Sequence, residues 1–183
     1  MENIIRQTRA GNIPAEPAVV ICDNPAAGAV QKASRLNVPI RLIDRKSFKH
    51  KTDFELEIIE QLEHFKADWV VLAGFMRILS PEFVRRFRGR IINIHPSFLP
   101  HFPGARAIQD AYEAKAKETG VTVHFVDEGV DSGPIILQEK IQIHPVESLE
   151  TLEARIHAVE YDIYPQALCL VLMGKVRMPP SHS

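Results

Sequence analysis

The feature that most constrains this chain is a set of short, continuously apolar runs that stop abruptly at polar turn residues. Ala18-Val19-Val20-Ile21-Cys22 halts at Asp23-Asn24-Pro25, and Trp69-Val70-Val71-Leu72-Ala73 halts at Gly74. Ile91-Ile92-Asn93-Ile94-His95 is a third run, and it leads into a loop with prolines at 96, 100 and 103. Strands without a polar face are buried on both sides, which is the habit of parallel strands covered by helices. Helical patterns fall between the runs. They are predicted over 2–10, closed by Gly11, over 26–36, over 81–87 behind Pro81, and over 105–116. Another is predicted over 54–65, capped by Thr52-Asp53, with Leu56, Ile59 and Leu62 on one face.

Residues 40–43 read as a further strand. Two alternating stretches, 121–126 and 135–143, read as an antiparallel addition at one edge of the sheet. Residues 149–172 form a long helical pattern, with a kink or break expected at Pro165. The tail 178–183 reads as frayed. This pattern predicts an α/β fold, a Rossmann-like open and mostly parallel sheet with helices on both faces.

Length and composition narrow the function classes. A chain of 183 residues fits one domain with a real core. Its net charge of −1 supplies no global field to attract nucleic acid or an anionic membrane. Cys22 and Cys169 are far apart and lack metal-type spacing, so two reduced thiols are expected and no metal site is. No apolar run reaches the ~18–20 residues of a membrane span, and the first residues lack a secretory apolar stretch. A soluble cytoplasmic protein acting on small molecules is the expectation.

The chemistry concentrates where strands end, because ligands of open α/β sheets bind beyond the strand carboxyl ends. Asn93 and His95 are two apart on a strand, so their side chains point to the same side. An amide can hydrogen-bond a developing oxyanion, and an imidazole can move a proton near neutral pH. Taken alone, Asn-x-His on a strand is structural more often than functional. The stiff flank Pro96-Ser97-Phe98-Leu99-Pro100 favours function, since prolines hold such geometry at low entropic cost.

Asn93-Ile94-His95-Pro96-Ser97-Phe98-Leu99-Pro100, followed by Phe102-Pro103-Gly104-Ala105, resembles the signature of the folate-dependent formyltransferases. The phosphoribosylglycinamide formyltransferase branch is most similar. The shared segments include 71–81 (Val-Leu-Ala-Gly-Phe-Met-Arg-Ile-Leu-Ser-Pro), 123–126 (Val-His-Phe-Val) and 131–136 (Asp-Ser-Gly-Pro-Ile-Ile). The resemblance covers almost the whole chain. It implies transfer of a formyl group from 10-formyltetrahydrofolate to the glycinamide amine of phosphoribosylglycinamide, a step of de novo purine (IMP) synthesis, without a metal or a covalent enzyme intermediate.

The resemblance also implies roles for single residues. Asn93 would polarise the formyl oxygen, and His95 would be the general acid. Asp131 would pair with His95 and help accept protons from the attacking amine; otherwise it is a turn former in Val130-Asp131-Ser132-Gly133. Folate would be held by Lys51, by Met76, Arg77, Ile78 and Leu79, by Asn93, and by the loop Asp127, Glu128, Gly129, Val130 and Asp131. Arg77 and Lys51 are also ordinary surface cations in their own right. Glu160, together with His157, would hold the ribose of the glycinamide substrate. The assembly expected is a monomer or a homodimer.

One departure stands out. Members of the family begin with a strand and a Gly- and Ser-rich turn whose backbone N–H groups hold the substrate phosphate. Met1-Glu2-Asn3-Ile4-Ile5-Arg6 aligns inside the helix that follows. Residues 1–183 therefore read as a single formyltransferase domain, N-terminally truncated relative to the family, and weak binding of the glycinamide substrate is expected. A methionyl-tRNA formyltransferase would add a nucleic-acid-binding domain. A formyltetrahydrofolate hydrolase usually has a second His where this chain has Pro96. An inactive folate-binding paralogue is the non-enzymatic alternative.

Overall fold

The computed structural model describes residues 1–180. Six strands and six α-helices alternate through most of the chain: α1 (Glu2–Arg9), β1 (Val20–Cys22), α2 (Gly28–Arg35), β2 (Ile40–Leu42), α3 (Lys51–His64), β3 (Val70–Val71), α4 (Pro81–Arg86), β4 (Ile91–His95), α5 (Ala107–Glu113), β5 (Glu118–Phe125), β6 (Ile135–Gln142) and α6 (Leu149–Leu172). The α/β class read from the apolar runs is the one observed. The sheet is divided. β1 and β2 pair in parallel with each other, and a second sheet runs β3-β4-β5-β6. β3 and β4 are parallel, and β5 and β6 add antiparallel at the far edge, as the alternating stretches predict.

Three clusters form the core. The larger packs Ile92, Val121, Val123 and Phe125 against Leu152, Ile156, Ile163 and Leu168 of α6. The second joins Phe54, Ile58 and Leu62 of α3 to Phe83, Phe87 and Ile91, with Ile21 and Leu72 packed on it. The third is small: Ile5, Leu36 and Val38. Apolar contact through the second cluster spans the division between the two sheets.

Several local readings need correction. β1 is half-buried rather than buried, because among the described residues it pairs with β2 alone. α3 begins at Lys51, with His50 at the cap position and no capping side chain, so Thr52-Asp53 lie inside the first turn. Its buried face carries Phe54, Glu55, Ile58 and Leu62, whereas Leu56 is exposed. The i, i+4, i+8 stripe beginning at Phe54 wins because its aromatic ring fills the space beside Phe48. The start of the tail is tied down, since Met178 packs on the main core; residues 181–183 lie outside the described residues.

Against the break expected at Pro165, α6 continues as one helix through it. A proline lacks the N–H that would bond the carbonyl four residues back. Here that carbonyl, on Tyr161, accepts a hydrogen bond from Asn3 Nδ2 of α1 at 2.7 Å. A side chain from a neighbouring helix thus replaces the missing backbone donor. One residue earlier, buried Tyr164 donates its hydroxyl to the carbonyls of Leu72 (2.6 Å) and Ile92 (3.1 Å). Burial, and then nearby Glu160, push this phenol well above its usual pKa, so it remains a donor. The contact seats α6 against the adjoining ends of β3 and β4.

Candidate active site

β4 delivers Asn93 and His95 to the carboxyl end of the sheet. Antiparallel pairing sets Asn93 opposite His124 of β5. Asn93 Nδ2 lies 3.3 Å from His124 Nε2, while His124 Nδ1 lies 2.8 Å from the Phe125 carbonyl oxygen. A carbonyl only accepts, so Nδ1 carries the proton and Nε2 offers its lone pair to the Asn93 amide. That bond orients the amide and uses one of its two N–H groups. The second remains available to a substrate oxygen. Burial, the largest influence, pushes the His124 pKa down despite the Phe125 carbonyl and Asp131, so this imidazole is neutral at pH 7.

His95 is buried and held at both nitrogens. Nε2 donates to the Phe102 carbonyl at 2.9 Å, and Nδ1 lies 3.4 Å from Asp131 Oδ2. Asp131 Oδ2 also accepts the Gly104 N–H at 2.9 Å, and Oδ1 lies 3.8 Å from His124 Nε2. One carboxylate therefore faces two imidazoles and ties the loop after β5 to the loop after β4. Asp131 thus occupies a turn position and also stands beside His95.

Local sequence produces this arrangement. Asp127 Oδ1 accepts from the Gly129 N–H and from Ser132 Oγ, folding the segment 127–132 on itself. Asp131 sits at φ +51°, a left-handed conformation that aspartate tolerates better than most residues. At Gly133 a side chain would collide with the Phe125 carbonyl, so only glycine lets the chain return to β6 here. The loop after β4 is pinned by Thr122, whose Oγ1 donates to the Ser97 carbonyl at 2.7 Å and accepts the Leu99 N–H at 3.1 Å. Gln138 Nε2 donates to the Leu99 carbonyl at 2.9 Å.

The remaining candidates lie around this cluster. Met76 and Ile78 are 73% and 62% exposed, and Val130 is also exposed. Leu79 is buried in the second core, so only its backbone can face a ligand. Arg77 is ion-paired: its Nε donates to Asp23 Oδ2 at 2.7 Å. Glu128 pairs with Arg85 of α4 at 3.2 Å. Lys51 Nζ lies 3.6 Å from Glu55 Oε1. On α6, Glu160 Oε2 and His157 Nδ1 are 2.7 Å apart, one turn before Tyr164. The structure pairs His95 with Asp131 and brings Asn93 to them through His124. Glu160 and His157 bond each other instead, on the helix that Tyr164 seats against β4. Two surface hollows, of about 390 and 490 Å³, lie elsewhere: beside Trp69 and Met178, and between α1, β6 and α6.

His124 and Glu55 were not among the residues expected from sequence. The alternation Thr122-Val123-His124-Phe125 sets Thr122 and His124 on one face of the strand. That His124 lies opposite Asn93 depends on strand register, which alternation does not reveal.

Comparison with known proteins agrees with this geometry. The formyl transferase family matches residues 1–168. The phosphoribosylglycinamide formyltransferase of Bacillus subtilis is 41% identical over 167 residues, covering 91% of this chain and 86% of that protein. The corresponding Haemophilus influenzae protein is 40% identical, covering 97% and 84%. The human trifunctional purine biosynthetic protein adenosine-3 is 42% identical over 178 residues, and this chain spans only 18% of it. Among solved structures, the phosphoribosylglycinamide formyltransferase of Bacillus halodurans superposes with a TM-score of 0.92 at 44% identity, covering 96% of this chain and 90% of that one. Glycinamide ribonucleotide transformylase 1 of Geobacillus kaustophilus gives 0.91 at 45%, covering 93% and 91%. Among the described residues no helix is long and apolar enough to cross a membrane. With its fold, its strand-end cluster and its relatives in agreement, this chain belongs to the formyl transferase family, in the phosphoribosylglycinamide formyltransferase branch.

Proposed function

We propose that the chain transfers the formyl group of 10-formyltetrahydrofolate to the amine of phosphoribosylglycinamide, as a step of purine synthesis on small-molecule substrates in the cytoplasm. The observation that carries the proposal is the pair His95 and Asp131, 3.4 Å apart, with Asn93 linked to them through His124. The amine attacks the formyl carbon, and a tetrahedral intermediate forms with negative charge on the formyl oxygen. The free N–H of Asn93 donates to that oxygen, an interaction strongest where the charge is greatest. The C–N bond to the folate nitrogen then breaks. That nitrogen gains a proton, and the acceptor nitrogen loses one, so the enzyme ends the cycle with its charge unchanged. His95 is assigned to deliver the proton, and Asp131 stabilises the imidazolium and helps remove the proton from the amine.

The donor fits the apolar, exposed Met76, Ile78 and Val130, with backbone groups of 76–79 and 127–131 reading the pterin edge and Lys51 meeting an anionic end. Arg77, held by Asp23, contributes its backbone rather than its charge. The acceptor ribose is assigned to Glu160, whose carboxylate can accept two hydroxyl protons, with His157 orienting it.

The test is an assay with both substrates. Formylated glycinamide ribonucleotide, identified by the mass gain of one formyl group, is expected in equal amount to the tetrahydrofolate released. Formate release without acceptor would instead make the chain a hydrolase. Folate binding without turnover would make it an inactive paralogue.

A further inference from the structure

Among the described residues, Glu55 is the only Asp or Glu buried as a whole, at 4% exposure. It shares the inward face of α3 with Phe54, Ile58 and Leu62. Placing a carboxylate on such a face is unfavourable unless specific partners offset the lost hydration. A residue serving packing alone would be apolar there.

Its partners explain its presence. Oε1 accepts the Ser80 N–H at 3.0 Å and lies 3.6 Å from Lys51 Nζ. Oε2 is buried and makes no hydrogen bond to the described residues. Ser80 ends the segment that carries Met76 to Leu79, and its Oγ accepts the Phe83 N–H at 3.2 Å to cap α4. The other polar anchor of that segment is the Arg77–Asp23 pair, which is partly exposed and so more screened by water than Glu55. A charge-assisted bond buried away from water is the stiffer of the two. One carboxylate oxygen thus sets both where the segment ends and where the Lys51 ammonium stands.

We infer that Glu55 is a positioning residue for the formyl donor, holding the 74–80 segment and Lys51 in the arrangement that receives the folate. This inference rests on the donor reading above. It assigns Glu55 no contact with substrate. When the anchor is lost, the receptive arrangement becomes one of several, and apparent donor affinity falls with its population.

The test compares Glu55→Gln, Glu55→Leu and Lys51→Met with the wild type, measuring KM for 10-formyltetrahydrofolate, KM for phosphoribosylglycinamide, kcat and the thermal midpoint. Glu55→Gln keeps an oxygen for the Ser80 N–H but loses the charge beside Lys51, so donor KM should rise about threefold. Glu55→Leu loses both contacts and should raise it about tenfold or more. In each variant kcat and acceptor KM should stay within about twofold of wild type. Donor KM unchanged in both Glu55 variants would overturn the inference. So would donor and acceptor KM rising together as the midpoint falls, which marks general loosening. If Glu55→Leu fails to fold, Glu55→Gln and Lys51→Met decide: both must raise donor KM alone. Wild-type turnover that does not saturate with the donor would remove the donor reading, and this inference with it.

Discussion

The polar groups at the ends of β4 and β5 are held differently from His157 and Glu160 on α6. Asn93, His95, His124 and Asp131 share two imidazoles, one carboxylate and three backbone partners, largely out of water. His157 and Glu160 hold each other across one helical turn, with His157 well exposed. The first set is preorganised, and a reacting group entering it meets dipoles already in place. The second can exchange its internal bond for bonds to a ligand at little cost. The difference teaches that chemistry and acceptor binding should respond to mutation in separate kinetic terms.

The largest break expected is His95→Ala, which should lower kcat by roughly 10²–10⁴-fold, the range of a lost general acid or base. A single-turnover assay measures it, and a loss below about tenfold would take His95 out of the chemistry. Glu160→Gln tests the opposite side of the comparison. Acceptor KM should rise about tenfold while kcat holds, as for a carboxylate hydrogen-bonding a neutral group. A fall in kcat with unchanged KM would show that α6 takes part in the reacting cluster.

A smaller effect concerns His124 and pH. Its pKa is lowered in the folded protein, so the unfolded chain binds the proton first as pH falls. The stability linked to neutral His124 is intact above about pH 6.5 and drains as pH drops toward the folded value. The thermal midpoint should therefore fall less steeply between pH 7 and about pH 5.5 in His124→Asn than in the wild type. Equal slopes would mean that His124 is not buried as a neutral base. The smallest effect lies outside the site. Asn3→Ala should cost about 1 kcal/mol by stranding the Tyr161 carbonyl above Pro165, read from denaturant unfolding. No change would mean that the helix closes that gap by another route.

These residues also mark how far the sequence could be read. Strands β1, β3 and β4 were legible because each is a β-branched run stopped by a turn residue. Long motifs single out Asn93, His95 and Asp131, and the fold brings these three to one strand end. His124 and Glu55 are not singled out, because each depends on geometry that local pattern leaves open. His124 needs the β4–β5 register. Glu55 needs the rotation of α3, and the apolar spacing Leu56, Ile59 and Leu62 points to a different face from the one that is buried. Pro165 predicts a kink or break, but the helix continues because a donor from Asn3, 158 residues away, replaces the missing N–H. Local rules identify a deficit more readily than the distant group that makes it good.

The central claim is that His95 and Asp131 work as one unit on the proton. Measuring kcat/KM for His95→Ala, Asp131→Asn and the double variant in one assay tests it most directly. The double variant should be no slower than the slower single variant, to within about threefold, because the second substitution removes nothing that still functions. Losses that multiply would show that His95 and Asp131 contribute independently.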